Sequence, residues 1–345
     1  MNDLYGTLKE IVLESYNIKT LSITKIQKSY TNKNYLSNSE HDKKYIIRLS
    51  PLYRINHLWF EIYVLNKLKS FELPFEIPRL IMTQNGSFAV RIKDHIITMF
   101  DFIESREVSS GDKTRELHKF SSFLGEKIGI LHKTFMQIKI PYTNFTHFNL
   151  IDSYDNKFRF YKICNYSPHD EWRKILLPYM KIIFEEISKY KKYYTHFSNP
   201  ELIHTDLRID NFIIRNNKIT GIVDFDDIVM GDHAFDLASI LIEDYTDKKV
   251  LSDDVSEMMT NIEDFLILLQ KYSEIQKNIF RKDFLNRLIN LLNLQCLQVL
   301  SIVGRDIDFN ENDRIKNAVW YSNFIKIMND KKNIEWIKNS LYGKL

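Results

Sequence analysis

The stretch from Ile203 to Asp236 constrains this chain more than any other. It opens Ile203-His204-Thr205-Asp206-Leu207-Arg208-Ile209-Asp210-Asn211 and continues into the apolar run Phe212-Ile213-Ile214. The turn-forming pair Asn216-Asn217 follows, then a second apolar run from Ile219 to Val223, then Asp224-Phe225-Asp226-Asp227. Two short apolar runs around an Asn-Asn pair predict a β-hairpin. A hairpin sets the start of its first strand beside the end of its second, so Asn211 and Asp224 are expected to converge on one point. An amide oxygen and a carboxylate are hard ligands suited to magnesium, which keeps few protein ligands and takes the rest from water and phosphate. Asp206 precedes Asn211 on the loop entering the hairpin, where it can face the same point without being a ligand. Phosphoryl transfer divides its labour in this way. The metal neutralises polyphosphate charge, while a separate carboxylate orients the attacking hydroxyl and accepts its proton. The plain alternative is an acidic hairpin with a capping Asn. A single Asp would favour that alternative; His-x-Asp-x-x-x-x-Asn followed by Asp-Phe-Asp-Asp argues against it.

The rest of the chain sets the frame for this stretch. Its 345 residues allow one to three domains. Ile23–Ile26 and Tyr45–Leu49 are β-type runs on either side of the polar stretch Lys28–Asn34, and Leu58, Ile62, Leu65 and Leu68 recur at helical spacing. Phe88–Ile92 and His95–Phe100 predict a second hairpin turning at Lys93-Asp94. From Thr114 to about Phe135 the pattern is that of a long amphipathic helix, and a further helix is expected from Trp172 to Tyr193. The C-terminal third reads as helical. A β-rich first part followed by a helical remainder predicts an α+β, two-lobed fold, divided at residues 1–104 and 105–345.

With 48 basic against 45 acidic residues, the net charge of +3 argues against a dedicated nucleic-acid or membrane-surface binder. The two cysteines, Cys164 and Cys296, are far apart and imply neither a disulfide framework nor a zinc knuckle. Residues 1–14 contain no apolar signal-peptide core, and no apolar run approaches a membrane span. A cytoplasmic protein is expected.

Residues 203–238, completed by Gly231-Asp232-His233-Ala234-Phe235-Asp236-Leu237-Ala238, resemble the aminoglycoside phosphotransferase and choline kinase family, distant relatives of protein kinases. The resemblance covers roughly residues 20–245. It implies a bilobal protein-kinase-like fold, ATP as phosphoryl donor with GTP left open, and Mg2+. Asp206 then corresponds to the catalytic base, Asn211 and Asp224 to the metal ligands, and Asp236 and His204 to braces of the catalytic loop. Ser29-Tyr30-Thr31-Asn32 resembles the family's phosphate loop, with Ser29 where a glycine is usual, so Ser29, Thr31 and Asn32 are candidate phosphate contacts. Arg48 stands where kinases carry a phosphate-binding Lys, and Glu61 on the following helix is its expected partner. Ile97–Glu104 is similar to the inter-lobe hinge, which implies adenine bound by main-chain groups near Asp101 and Ile103.

Asp224 and Asp236 are only twelve residues apart. No long activation segment fits between them, which favours a small hydroxylated acceptor such as an aminoglycoside, an amino alcohol or homoserine. A protein acceptor, as in the bacterial stress kinases of the same superfamily, is the alternative reading, and a non-catalytic nucleotide-binding module is a third. The acidic run Glu243, Asp244, Asp247, Asp253, Asp254 and Glu257 could line a pocket for a polycation, though a solvated helix face accounts for it more simply.

Overall fold

The structure is a computed structural model and describes residues 2–26, 32–104, 113–141, 174, 177–195, 199–277, 282–303 and 311–342. Two compact units make up the chain. One comprises Met1–Arg106 and Phe212–Asp227, the other Glu107–Asn211 and Ile228–Leu345.

The first unit is built on a five-stranded antiparallel sheet of β1 (Thr20–Lys25), β2 (Lys33–Ser39), β3 (Lys44–Pro51), β4 (Ala89–Ile92) and β5 (His95–Asp101), in the order β1-β2-β3-β5-β4. Strand alternation gives the sheet two different faces. Tyr45, Ile47 and Leu49 of β3 join Tyr35, Ile97 and Met99 in a buried cluster, and helix α1 (Asn2–Tyr16) covers it with Leu8, Val12 and Tyr16. Each such side chain stabilises the unit by about 1.5–3 kcal/mol through burial. Arg48, between Ile47 and Leu49, therefore points to the opposite side, where its guanidinium lies 4.7 Å from the Phe100 ring centroid. Helix α2 (Ile55–Leu68) buries Leu58, Ile62, Leu65 and Leu68, the expected stripe, together with Phe60, Glu61 and Val64.

The hairpin read from the sequence is present. Strand β7 (Phe212–Arg215) pairs with β8 (Lys218–Ile222), from Phe212 opposite Ile222 to Arg215 opposite Lys218. Asn216 and Asn217 both take left-handed backbone, with φ of 51° and 57°. This is the two-residue turn that asparagine tolerates and that suits the twist of a hairpin. The hairpin is zipped onto residue 76: the Glu76 amide donates to Thr220 O (2.7 Å) and the Ile222 amide donates to Glu76 O (2.9 Å).

The second unit is mainly helical, comprising α3 (Lys113–Phe135), α4 (Met180–Thr195), α5 (His233–Asp244), the single turn α6 (Val255–Met258), α7 (Ile262–Ile275), α8 (Lys282–Val303), α9 (Glu311–Ile327) and α10 (Lys331–Tyr342). Strands β6 (Glu201–Ile203) and β9 (Val229–Gly231) pair antiparallel within it. Helices α3 and α7 approach closely because α3 presents glycines four residues apart. A Cβ on Gly129 would stand 2.9 Å from the Ile275 Cβ, and one on Gly125 would collide with the backbone carbonyl of Leu268. Among the described residues, no helix is long and apolar enough to cross a membrane.

Two elements differ from the sequence reading. Helix α1 was not anticipated. Strand β2 occupies a stretch that starts in the polar segment before Tyr35. Its polar side chains find partners in the sheet, as in the 3.2 Å contact between the Ser37 and Thr20 hydroxyls. The start of the helix expected from Trp172 lies outside the described residues, apart from Lys174, which is helical; a 3-10 turn at Leu177–Tyr179 then leads into α4 at Met180. Pro178 lies in that turn, and proline, lacking an amide hydrogen, suits a helix entrance.

Candidate active site

Within the first unit, the candidate residues gather around Arg48. Its guanidinium donates to both oxygens of Glu61, at 2.7 and 2.9 Å, and the pair is almost fully buried. Strand β3 and helix α2 are consecutive elements, so the fold brings together two residues that lie thirteen apart in sequence. Burial raises the Glu61 carboxyl above its ordinary range, against the pull of Arg48. The Arg48 guanidinium is held in its charged form by the carboxylates of Glu61, Asp226 and Asp224, which outweigh its burial. Asp224 Oδ1 lies 3.6 Å from Arg48. Its carboxylate stays accessible, with 42% of the side chain exposed. Asp224 also carries φ of 68°, a left-handed conformation that costs a β-carbon residue energy and tends to persist at functional sites.

Asn32 donates from Nδ2 to Asp226 Oδ2 at 2.5 Å. The other two phosphate-loop candidates, Ser29 and Thr31, lie outside the described residues. Asp101 and Ile103 both border a cavity of about 410 Å3, lined also by Lys44, Tyr45, Ile77 and Arg79. The backbone there is anchored on both sides, by the Asp101 amide donating to Arg79 O (2.9 Å) and the Phe102 amide donating to Lys44 O (3.2 Å).

Within the second unit, the loop from His204 to Asn211 is held from behind. Asp236, buried at the start of α5, accepts the His204 amide (2.8 Å) and the Thr205 amide (2.7 Å). Thr205 has φ of 70°, so the loop is bent sharply just before Asp206. Burial disfavours the Asp236 charge, but hydrogen bonding and charge from His132, with the His204 amide, overcome it and hold the carboxyl below its ordinary value. Burial, with His233 adding to it, pushes His132 down to about 4, so the ring is neutral near pH 7. Its tautomer follows. Nε2–H donates to Asp236 Oδ2 (2.9 Å), and Nδ1 accepts from the Tyr272 hydroxyl (3.0 Å). His233 stacks on the same ring at 4.0 Å. The Ile209 amide donates to Asp244 Oδ2 at 2.7 Å, a second clamp on the loop.

Asn211 turns toward Asp206. Its Nδ2 donates to both the Asp206 carbonyl and Asp206 Oδ2, each at 2.8 Å. This contact fixes the Asp206 carboxylate and leaves Oδ1 as the atom Asn211 can offer a cation. Among the described residues no group of three or more His, Cys, Asp or Glu side chains is arranged to hold a metal. The Asp224 carboxylate in the first unit and the Asn211 amide oxygen in the second are each hard oxygen donors of the kind that suits magnesium, which is content with few protein ligands.

The acidic run after residue 240 does not form one surface. Glu243 is buried and accepts from the Tyr321 hydroxyl (2.8 Å), Asp244 clamps the loop, and Asp254 caps α6 by accepting the Ser256 amide, whereas Asp253 is exposed. Reading the sequence missed Arg54, which donates to Asp226 and Asp227, and Tyr272, which orients His132. Arg54 had one signal, a lone Arg between a strand and a helix with no acid at helical spacing.

A β-sheet unit with a buried Arg–Glu pair, and a helical unit carrying an Asp-braced loop ahead of a β-hairpin, define an α+β, protein-kinase-like fold. The sequence model of the phosphotransferase enzyme family (APH) matches residues 22–253, about two thirds of the chain, and the chain belongs to that family. It is a phosphotransferase.

Solved structures agree on the fold. An amicoumacin kinase in complex with AMP-PNP, Ca2+ and Ami is 17% identical, with 95% of this chain and 94% of that one covered at a TM-score of 0.69. A spectinomycin phosphotransferase bound to ADP and spectinomycin is 17% identical, with 95% and 98% covered at 0.61. A microcompartment-associated aminopropanol kinase is 14% identical, with 98% of each chain covered at 0.61. No curated protein matches the chain in sequence.

Proposed function

We propose that this phosphotransferase moves the γ-phosphoryl group of ATP to a hydroxyl of a small molecule, with Asp206 as the catalytic base. The observation that carries the reading is the double hydrogen bond from Asn211 to Asp206. It orients a carboxylate on a loop whose backbone is pinned at three amides, those of His204, Thr205 and Ile209. Orientation of this kind is most of what a protein contributes to phosphoryl transfer, because the loose transition state needs positioning and charge stabilisation more than covalent help. Asp206 accepts the proton of the attacking hydroxyl. Asn211 and Asp224 would hold magnesium, which would supply positive charge against the polyphosphate. Arg48, kept charged and fixed by Glu61, steadies the phosphates together with Asn32, Ser29 and Thr31. The backbone at Asp101 and Ile103 takes the adenine edge. Residues 1–104 cover the nucleotide, residues 105–345 carry the catalytic loop, the metal ligands and the acceptor region, and the protein works in the cytoplasm.

The acceptor class follows from chain length between motifs. Twelve residues from Asp224 to Asp236 leave no room for a peptide-binding activation segment. The similar proteins are named for amicoumacin, spectinomycin and aminopropanol, and an amine-bearing alcohol is the acceptor to try first. Magnesium-dependent turnover of ATP with a panel of aminoglycosides, spectinomycin, aminopropanol and homoserine is the direct test. Asp206→Asn should lower kcat on the active acceptor by about 10²–10⁴-fold while ATP binding persists. Unchanged turnover in that variant would remove Asp206 from the mechanism.

A further inference from the structure

Two guanidinium groups and four carboxylates meet in the first unit. Arg48 faces Glu61 and Asp224, and Arg54 faces Asp226 and Asp227. The second arginine has no part in the reading above. It ends the 3-10 turn Leu52–Arg54 that joins β3 to α2, a turn tied down by the Leu52 amide donating to Asp94 O at 2.8 Å. Its neighbour Tyr53 is 78% exposed, whereas Arg54 is 7% exposed, so the turn drives the arginine inward. There the guanidinium makes three contacts with one short segment. Nη2 donates to Asp227 Oδ1 (2.5 Å) and to the Asp226 carbonyl (2.9 Å), and Nη1 donates to Asp226 Oδ2 (3.3 Å). The same Asp226 oxygen accepts from Asn32, the last residue before β2.

We propose that Arg54 is the built-in counter-cation of the acidic turn 224–227: it occupies Asp226 and Asp227, ties them to Asn32, and leaves Asp224 as the turn's carboxylate for a divalent ion. The last clause rests on the magnesium reading of Asp224. Without a counter-cation, Asp226 and Asp227 would each be open to a hard cation, which takes carboxylates singly or in pairs. A guanidinium fork satisfies both with fixed geometry and cannot lose its charge near neutral pH. Arg54 is thus a positioning residue, acting through Asp226 on the loop at Asn32, and a selector that keeps the turn from collecting extra metal.

The test is metal binding to the nucleotide-free protein, read by Ca2+ and Mn2+ titration in calorimetry and by the metal-induced rise in melting temperature. Arg54→Met should bind Ca2+ at least tenfold more tightly than the natural chain, and adding Asp226→Asn and Asp227→Asn to it should return the affinity to the starting value. Arg54→Lys should stay within a few-fold of the natural chain. The KM for MgATP should rise about tenfold in Arg54→Met. A folded Arg54→Met protein with unchanged metal affinity would overturn the proposal. If Arg54→Met alone does not fold, the triple variant decides: affinity equal to the natural chain's supports the proposal, and a tenfold change in either direction refutes it. Asp224→Asn separates the two claims. If it leaves metal affinity intact, the magnesium reading fails, while the tightening in Arg54→Met still reports on Arg54.

Discussion

Arg48 and Glu61 show how a few residues commit a whole unit. A buried guanidinium–carboxylate pair gains little over apolar residues of the same size, but it leaves an uncompensated charge when one partner is lost. Arg48→Met should therefore cost about 3–5 kcal/mol of stability, visible as a lower urea midpoint of unfolding, besides weakening nucleotide binding. A variant with normal stability and weak ATP binding would make the arginine a ligand only, with no structural share. The pair was legible in the sequence because strand and helix follow each other there with family spacing. Arg54 was not, because its acids lie more than 170 residues downstream and only the folded unit brings them within reach. Asp206, Asn211 and Asp224 were legible because their chemistry is concentrated in nineteen residues of sequence.

Among elements, the brace behind the catalytic loop carries the clearest pH dependence. His132 titrates near 4 in the folded chain and near 6.5 when unfolded. Below pH 6.5 the unfolded chain takes up a proton that the folded chain refuses, so stability falls as pH drops from about 6.5 to about 4 and levels off below that. The loss over this window is about 3 kcal/mol. Asp236 acts further down. Its carboxyl is held below the ordinary value, so its contribution is present above about pH 4 and is lost as pH falls through its folded value. Urea midpoints at pH 7 and pH 4.5 should differ less for His132→Gln than for the natural chain, and equal differences would assign the acid lability elsewhere.

The α3–α7 contact makes a second element-scale prediction. Gly125→Ala drives a methyl into the Leu268 carbonyl. The two helices must part, at a cost of about 1–3 kcal/mol of overpacking, and the melting temperature should fall. Gly6→Ala, where nothing lies within 4 Å, is the control. Long periodic helices and the Asn-Asn hairpin were readable from pattern alone. Helix α1 and strand β2 were not. The stripe of α1 is short and interrupted by charge, and β2 is polar on the positions that hydroxyl pairing satisfies. Both gain their stability from the sheet they complete.

On the scale of the molecule, charge and composition said little beyond what they excluded. Near-neutral net charge argued against nucleic-acid binding but could not choose an acceptor, and the acidic run after residue 240 turned out to be divided among a hydrogen bond to Tyr321, a loop clamp, a helix cap and exposed surface. The order of elements proved more informative than their composition, since a sheet-rich start and a helical finish already implied an α+β fold.

The hairpin at Phe212–Asp227 belongs with the sheet that was completed a hundred residues earlier, through its hydrogen bonds to Glu76. The first unit is therefore not a contiguous stretch of gene. A fragment ending at residue 106 would lack a piece of its own structure. Any exchange of this unit between relatives, by recombination or in the laboratory, must carry both segments together to leave it whole.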